Sequence, residues 1–162
     1  MAGVAVLYNP ATAPFAGMLL RAIEESASSL AVSVRVAPVH DEAEIRAAMV
    51  TLSQEERGDP LTLPDSFTIV NRAFIIASAA QTHLPAVYWS RALAADGGLM
   101  SYGADNPDLF RRSAVYIDRI LKGAKPRDLA VQNLTKFQLV VSKPRKRSGS
   151  LFRPQSWCAL TS

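Results

Sequence analysis

The chain has 162 residues, 49% of them hydrophobic and 20% charged, which is enough apolar material for one packed domain and excludes a disordered tail. A lone Cys158 excludes a disulfide framework and a cysteine-built zinc site, and His40 and His83 stand too far apart to read as a metal site. The net charge of +4 does not make this a nucleic-acid-binding body, because five of the 18 basic residues (Lys143, Arg145, Lys146, Arg147 and Arg153) follow residue 142, where no acid stands, leaving 13 basic against 14 acidic groups over residues 1–142.

Strand and helix signals alternate along the chain. Val4 to Tyr8 is a short apolar, β-branched run of the kind that forms a buried strand. Asn9-Pro10 stops it, Thr12 is a candidate helix cap and Pro14 suits a first turn. Phe15, Met18, Leu19, Ala22 and Ile23 then keep helical spacing to about Ser29. Ala31 to Val36 reads as a second strand. Asp41 with Glu44 three residues on resembles a capping box, opening a helix that carries Ile45, Ala48, Met49 and Leu52. Leu61 to Leu63 is a third strand, ended by Pro64-Asp65, and Ser66 onward is helical, with Phe67, Val70, Phe74, Ala77 and Ala80 spaced for burial. Pro85 to Trp89 is a fourth strand, Ser90 to Asp96 a loop or a single helical turn punctuated by Gly97-Gly98, and Leu99 to Tyr102 a fifth strand. Asn106-Pro107-Asp108 supplies a cap, a first-position proline and an acid at the positive end of the helix dipole. That helix runs to about Leu121 and stops at Gly123. Phe137 to Val141 alternates into a last strand.

Such alternation predicts an α/β fold: a single three-layer domain with a mostly parallel, Rossmann-like or flavodoxin-like sheet of about five strands. Ligands in such folds sit at the carboxyl ends of the strands, here Asn9 to Thr12, Val39 to Asp41, Pro64 to Phe67, Trp89 to Arg91 and Gly103 to Asp105. No glycine-rich phosphate loop, serine elbow or nucleophile beside a histidine is present, so no catalytic residue, cofactor or metal is expected. Asp65 is a candidate general base in a small cytosolic enzyme, a ligand contact, or simply the cap of the helix beginning near Ser66. Tyr88, Trp89 and Tyr102 close two adjacent strands and read either as a stacking wall for an apolar or aromatic ligand or as packing at the rim of the core. His83 supports the end of its helix, and Arg111-Arg112 forms a solvated helix side. No apolar run approaches the ~20 residues that span a bilayer. The opening Met-Ala-Gly-Val-Ala-Val-Leu lacks the form of a secretory signal, so the chain as written is expected to stay in the cytoplasm.

The string VAVLYNPATAPFAGMLLRAIEESASSLAV, followed by LPDSFTIVNRAFIIASAAQTHLPAVY and ADGGLMSYGADNPDLFRRSAVYIDRILKGAKPRDLAVQNLTKF, resembles the second lobe of ABC-importer substrate-binding proteins of the tryptophan/tyrosine-type periplasmic group. The resemblance covers nearly everything from Val4 to Val141. It implies half of a periplasmic-binding-protein type I clamp, a small-molecule ligand such as an aromatic amino acid, and an ABC permease as partner, with full-length members periplasmic. The positions resembling the ligand-facing loops are Asn9, Asp65, Ser66, Tyr88 and Tyr102. After TKFQLVV, members continue with something like INLKTAKALGL, whereas this chain reads SKPRKRSGSLFRPQSWCALTS; with one choice of codons, a one-base shift of frame converts SKPRKRSG into NLKTAKALG. The expected organisation is therefore a lobe over residues 1–141 and an irregular basic tail over 142–162, a frameshift product on a truncated gene. A lobe without its partner is expected to bind ligand weakly or not at all, and to form a homodimer through the helix from Asn106 to Lys122; the rivals are the Asp65 enzyme and a dimerising interaction module.

Overall fold

The computed structural model describes residues 3–55, 58–133 and 135–142. The expected irregular tail lies outside the described residues, apart from Ser142.

The elements follow in the order β1 (Gly3–Tyr8), α1 (Ala16–Ser29), β2 (Ser33–Pro38), α2 (Glu42–Gln54), β3 (Asp59–Thr62), α3 (Ser66–Val70), α4 (Arg72–Gln81), β4 (Val87–Tyr88), α5 (Arg91–Ala95), β5 (Met100–Ala104), α6 (Asn106–Leu121) and β6 (Phe137–Val141). They build one six-stranded sheet in the order β2-β1-β3-β4-β5-β6. The first five strands are parallel and β6 runs antiparallel to β5 at the edge. This is the expected mostly parallel sheet, with the flavodoxin-like order whose direction of winding reverses between β1 and β3.

Alternation along β1 divides the core. Leu7 points to a cluster with Val39, Ile45, Met49, Ile75, Ile76, Tyr88 and Leu93, so α2, α4 and α5 cover that face. Val6 points the other way, to Ala13, Ala16 and Leu63, with Leu19, Leu20 and Ile23 of α1 packed against them. The three-layer arrangement follows from burying both sides of a parallel sheet, which is why its strands read as apolar runs.

Several boundaries move for identifiable reasons. Helix α1 starts at Ala16, not after Thr12: the amides of Thr12 and Ala13 turn back to the Asn9 carbonyl, and the Thr12 hydroxyl donates to Asp65. β2 starts later than expected because Ala31 adopts φ 53 and lets the Val32 amide close onto the Ala27 carbonyl, a Schellman ending made without glycine. His83 does the same for α4 at φ 59, with the Leu84 amide on the Ala79 carbonyl. Gly123 ends α6 the same way. The stretch after Ser66 is two helices, divided at Asn71, whose side-chain amide donates to the Phe67 carbonyl. Ser90 accepts from the Ala92 amide and opens α5, so of the two readings for Ser90 to Asp96 the single helical turn describes it. Asp41 caps α2 as expected, but Glu44 reaches back to the His40 amide, one residue earlier than a standard box.

Two surfaces are left uncovered. Helix α6 buries no residue; the segment 126–133 runs beside it, held through Tyr116 Oη donating to the Ala130 carbonyl and Arg112 donating to Gln132, and Arg112 also donates to Thr135. A groove of about 380 Å³ separates the two. On the sheet, register places Met100, Tyr102 and Ala104 on one face with Val141, Leu139 and Phe137, and Tyr102, Phe137, Leu139 and Val141 are all exposed there.

Candidate functional site

The carboxyl ends of β1 and β3 meet where the sheet reverses its winding, the place where open α/β sheets present a crevice. Asp65 joins them. Its carboxylate accepts from the Asn9 amide at 2.9 Å, from the Thr12 hydroxyl and from the Phe67 amide at 3.0 Å, and the residue is buried. One side chain thus caps α3 and ties the β1 loop to the β3 loop. Both oxygens are engaged in holding the two loops, with three of the carboxylate's roughly four lone-pair sites taken. The capping role expected for Asp65 holds; what sequence reasoning missed was Thr12, whose hydroxyl serves this network rather than a helix start.

Asn9 is also buried, and its side-chain carbonyl accepts from the Ala11 amide at 2.8 Å while its backbone carbonyl closes the turn into α1. Its Nδ2 donates to no group among the described residues. Ser66 is exposed on the first turn of α3. Trp89 is half-buried, and its indole N–H donates at 3.4 Å to the hydroxyl of Thr68, which in turn donates to the Asp65 and Leu63 carbonyls. Asn9, Asp65 and Ser66 therefore come together at the switch point, with Trp89 tied in through Thr68.

The two tyrosines do not join this cluster as a wall. Tyr88 pairs with Ser101 across the sheet, so the next residue, Tyr102, faces the opposite side. Tyr88 is 1% exposed and belongs to the core. A Cβ on Gly98 would lie 2.6 Å from its ring. Burial pushes its phenol well above the usual tyrosine value. Tyr102 lies on the open face of β5, its ring stacked on Phe137 at 5.8 Å between centroids. The pair of strand-end aromatics is thus split by strand parity, and the core-packing alternative describes Tyr88.

A second polar junction lies at the end of β5. Asp105, not Asn106, caps α6, accepting from the Asp108 amide at 3.1 Å. Its carboxylate also takes Gln138 Nε2 at 2.6 Å and Lys136 Nζ at 3.3 Å, and its amide donates to the Lys136 carbonyl. The Asp108 amide, then Lys136 and Gln138, hold this carboxyl below the ordinary aspartate range. Among the described residues no group of three His, Cys, Asp or Glu could hold a metal, and no helix is long and apolar enough to cross a membrane.

Comparison with solved structures supports the same architecture. A conserved domain protein from Vibrio cholerae aligns at TM-score 0.71 and 24% identity, covering 86% of this chain and 46% of its own. An ABC domain from Streptococcus pneumoniae, solved in complex with L-Trp, aligns at TM-score 0.71 and 20% identity, covering 86% and 48%. The ligand-free, open form of a substrate binding protein with adhesive properties from Clostridium difficile aligns at TM-score 0.68 and 16% identity, covering 86% and 47%. The chain spans about half the length of each of these structures. No curated protein matches it. The family model described as ABC transporter substrate binding protein matches residues 1–148, and by that match the chain belongs to the ABC transporter substrate-binding protein family.

Proposed function

We propose that this chain contributes one side of a ligand clamp for an ABC importer, taking a small ligand of the aromatic amino acid class at the carboxyl ends of β1 and β3. The family match over residues 1–148 carries this reading. Its family is a binding-protein type rather than an enzyme type, and the tethered carboxylate of Asp65 agrees with that. In this reading Asn9 offers its Nδ2 donor and Ser66 its hydroxyl, Asp65 fixes both loops, Tyr88 supports the strand ends from the core, and Tyr102 lies to one side with Phe137. Members of the family usually work in the periplasm or outside the cell, and the ligand is delivered there to an ABC permease. A two-sided clamp buries most of its ligand, so a single lobe holds it weakly; the lobe covers its open helix α6 by pairing as a homodimer.

Titration calorimetry and amide NMR with tryptophan, tyrosine and phenylalanine test this. The expected result is dissociation constants weaker than about 100 μM, a binding free energy less favourable than about −5.5 kcal/mol, with shift changes centred on Asn9 and Ser66. Sub-micromolar affinity would overturn the one-sided clamp. Unchanged spectra at millimolar concentrations of all three would overturn the ligand class.

A further inference from the structure

Of the three aromatics that close β4 and β5, Tyr88 lies in the core and Tyr102 stacks on Phe137 across the open face of the sheet. Trp89 is held in a third setting. It follows β4 directly, and β4 lies beside β3, so it stands at the same carboxyl edge of the sheet as Asp65. Its indole N–H donates at 3.4 Å to the Thr68 hydroxyl, whose oxygen lies 2.8 Å from the Asp65 carbonyl and 3.2 Å from the Leu63 carbonyl, on the turn that leads from β3 into α3. Thr68 is fully buried, whereas Trp89 is only half-buried. The main chain of Trp89 is fixed as well. Gly103 of β5 sets bare backbone against its carbonyl oxygen, which an added Cβ would approach to 2.0 Å, and Ser90 caps α5 immediately after it. The indole is thus anchored through its nitrogen and its backbone, on a residue that the rest of the chain leaves partly open.

We propose that Trp89 is the specificity-determining residue of the ligand crevice: its ring is the wall on which the ring of an aromatic amino acid stacks, beside the Nδ2 donor of Asn9. The proposal rests on the clamp reading above and adds what selects the ring. Asn9 is 6% exposed and its Oδ1 is taken by the Ala11 amide, which leaves Nδ2 to donate to an acceptor on the ligand. Polar contacts of this kind hold every amino acid alike, because each carries the same amino and carboxyl groups. Discrimination therefore has to come from the side-chain contact. An aliphatic side chain on the indole gains only from the area it buries. An offset or edge-to-face aromatic pair gains more, about threefold to tenfold in affinity. The anchoring of Trp89 adds to this, since a ring already fixed by Thr68 and by its own backbone loses little freedom when a ligand settles on it.

Amide and indole NMR of the full chain, titrated in turn with L-phenylalanine, L-tyrosine and L-leucine, reads the outcome. The chain holds two tryptophans, and a Trp157→Phe variant identifies the Trp89 indole resonance. That resonance should shift together with the Asn9 and Ser66 amides along one binding curve, and L-phenylalanine should bind about threefold to tenfold more tightly than L-leucine. Trp89→Leu should bring the two ligands within about twofold of each other, and Trp89→Phe should keep the preference, because a smaller ring still stacks. Three results would overturn the stacking wall and leave the clamp standing: Asn9 and Ser66 amides that respond while the Trp89 indole stays still, equal affinity of the native chain for L-phenylalanine and L-leucine, or a folded Trp89→Leu chain that keeps the preference. If Trp89→Leu fails to fold, the indole resonance and the two affinities of the native chain decide the question without it. No response at any of these resonances to any of the three amino acids would overturn the clamp reading and the wall together.

Discussion

Gly103→Ala is the sharpest test of how β4 and β5 approach each other. A Cβ built at Gly103 would lie 2.0 Å from the Trp89 carbonyl oxygen and 3.1 Å from its carbon. Even close carbon–oxygen contacts between strands stand at about 3.3–3.6 Å, so the overlap exceeds an ångström. The obstructing atom is backbone, so no rotamer change relieves it. Relief requires β4 and β5 to separate at the Val87↔Met100 and Tyr88↔Ser101 pairs, which anchor Tyr88 in the core. Overpacking typically costs 1–3 kcal/mol, and a backbone obstruction belongs at the upper end, about 3 kcal/mol. Against a usual total of about 5–15 kcal/mol that is a large fraction. Urea unfolding followed by circular dichroism measures it as a fall in midpoint at constant slope. Gly17→Ala is the matched control: the same added methyl, on the first turn of α1 with nothing within 4 Å, should stabilise by about 0.5 kcal/mol. If Gly103→Ala falls within about 0.5 kcal/mol of the native chain, the close approach is wrong.

Three further outcomes follow from local geometry. Ala31→Gly should raise stability by about 0.5–1 kcal/mol, read as a higher urea midpoint, because Ala31 sits at φ 53 in a helix ending that glycine adopts freely. Asp65→Ala should cost about 3 kcal/mol by the same measurement, since it removes the α3 cap and strips the acceptor from the Asn9 amide and the Thr12 hydroxyl; Asp65→Asn should recover part of the loss. Asp59→Asn should raise the melting temperature at neutral pH, with the gain fading on acidification: desolvation raises the Asp59 carboxyl, so the native aspartate favours folding only while protonated and loses that contribution as pH climbs through its folded value.

Where an interaction is local or strictly periodic, it was legible in the sequence. The parallel strands stood out because burial on both faces leaves apolar runs such as Val4 to Tyr8, and the Asp41 cap stood out because its partner, the Glu44 amide, is three residues away. Thr12 was misread because its partner is Asp65, 53 positions on, and nothing nearby distinguishes such a hydroxyl from a helix cap. Asn106 and Asp105 are adjacent and equally suited to capping; Gln138 and Lys136, from beyond α6, decide for Asp105. Tyr88 and Tyr102 were grouped by strand-end position, but which face each takes depends on a register that β4, only two residues long, does not reveal. Gly98 was the available signal: a glycine ten residues after a tyrosine, at a turn, marks a place where a ring can pack on bare backbone.

The Asp105 junction decides how independently α6 moves from the sheet. The excursion 106–135 leaves β5 and returns to β6 through two points, Asp105 and Lys136, that are bonded to each other by backbone and side chain alike. No residue of α6 is buried, so packing adds little to this attachment. The carboxyl of Asp105 is held below its ordinary value, so its contribution to the folded state is present above the unfolded value near pH 3.9 and is lost as pH falls through the lowered folded value. Amide hydrogen exchange should therefore divide the molecule. At neutral pH the amides of α6 should exchange faster than those of β1 and β3, whose strands carry the core on both faces. Replacing Asp105 with Asn should speed exchange at the Asp108 and Asp105 amides at neutral pH, and the difference from the native chain should shrink on acidification. Equal protection across α6 and β1 would mean that the helix is held by contacts beyond this junction.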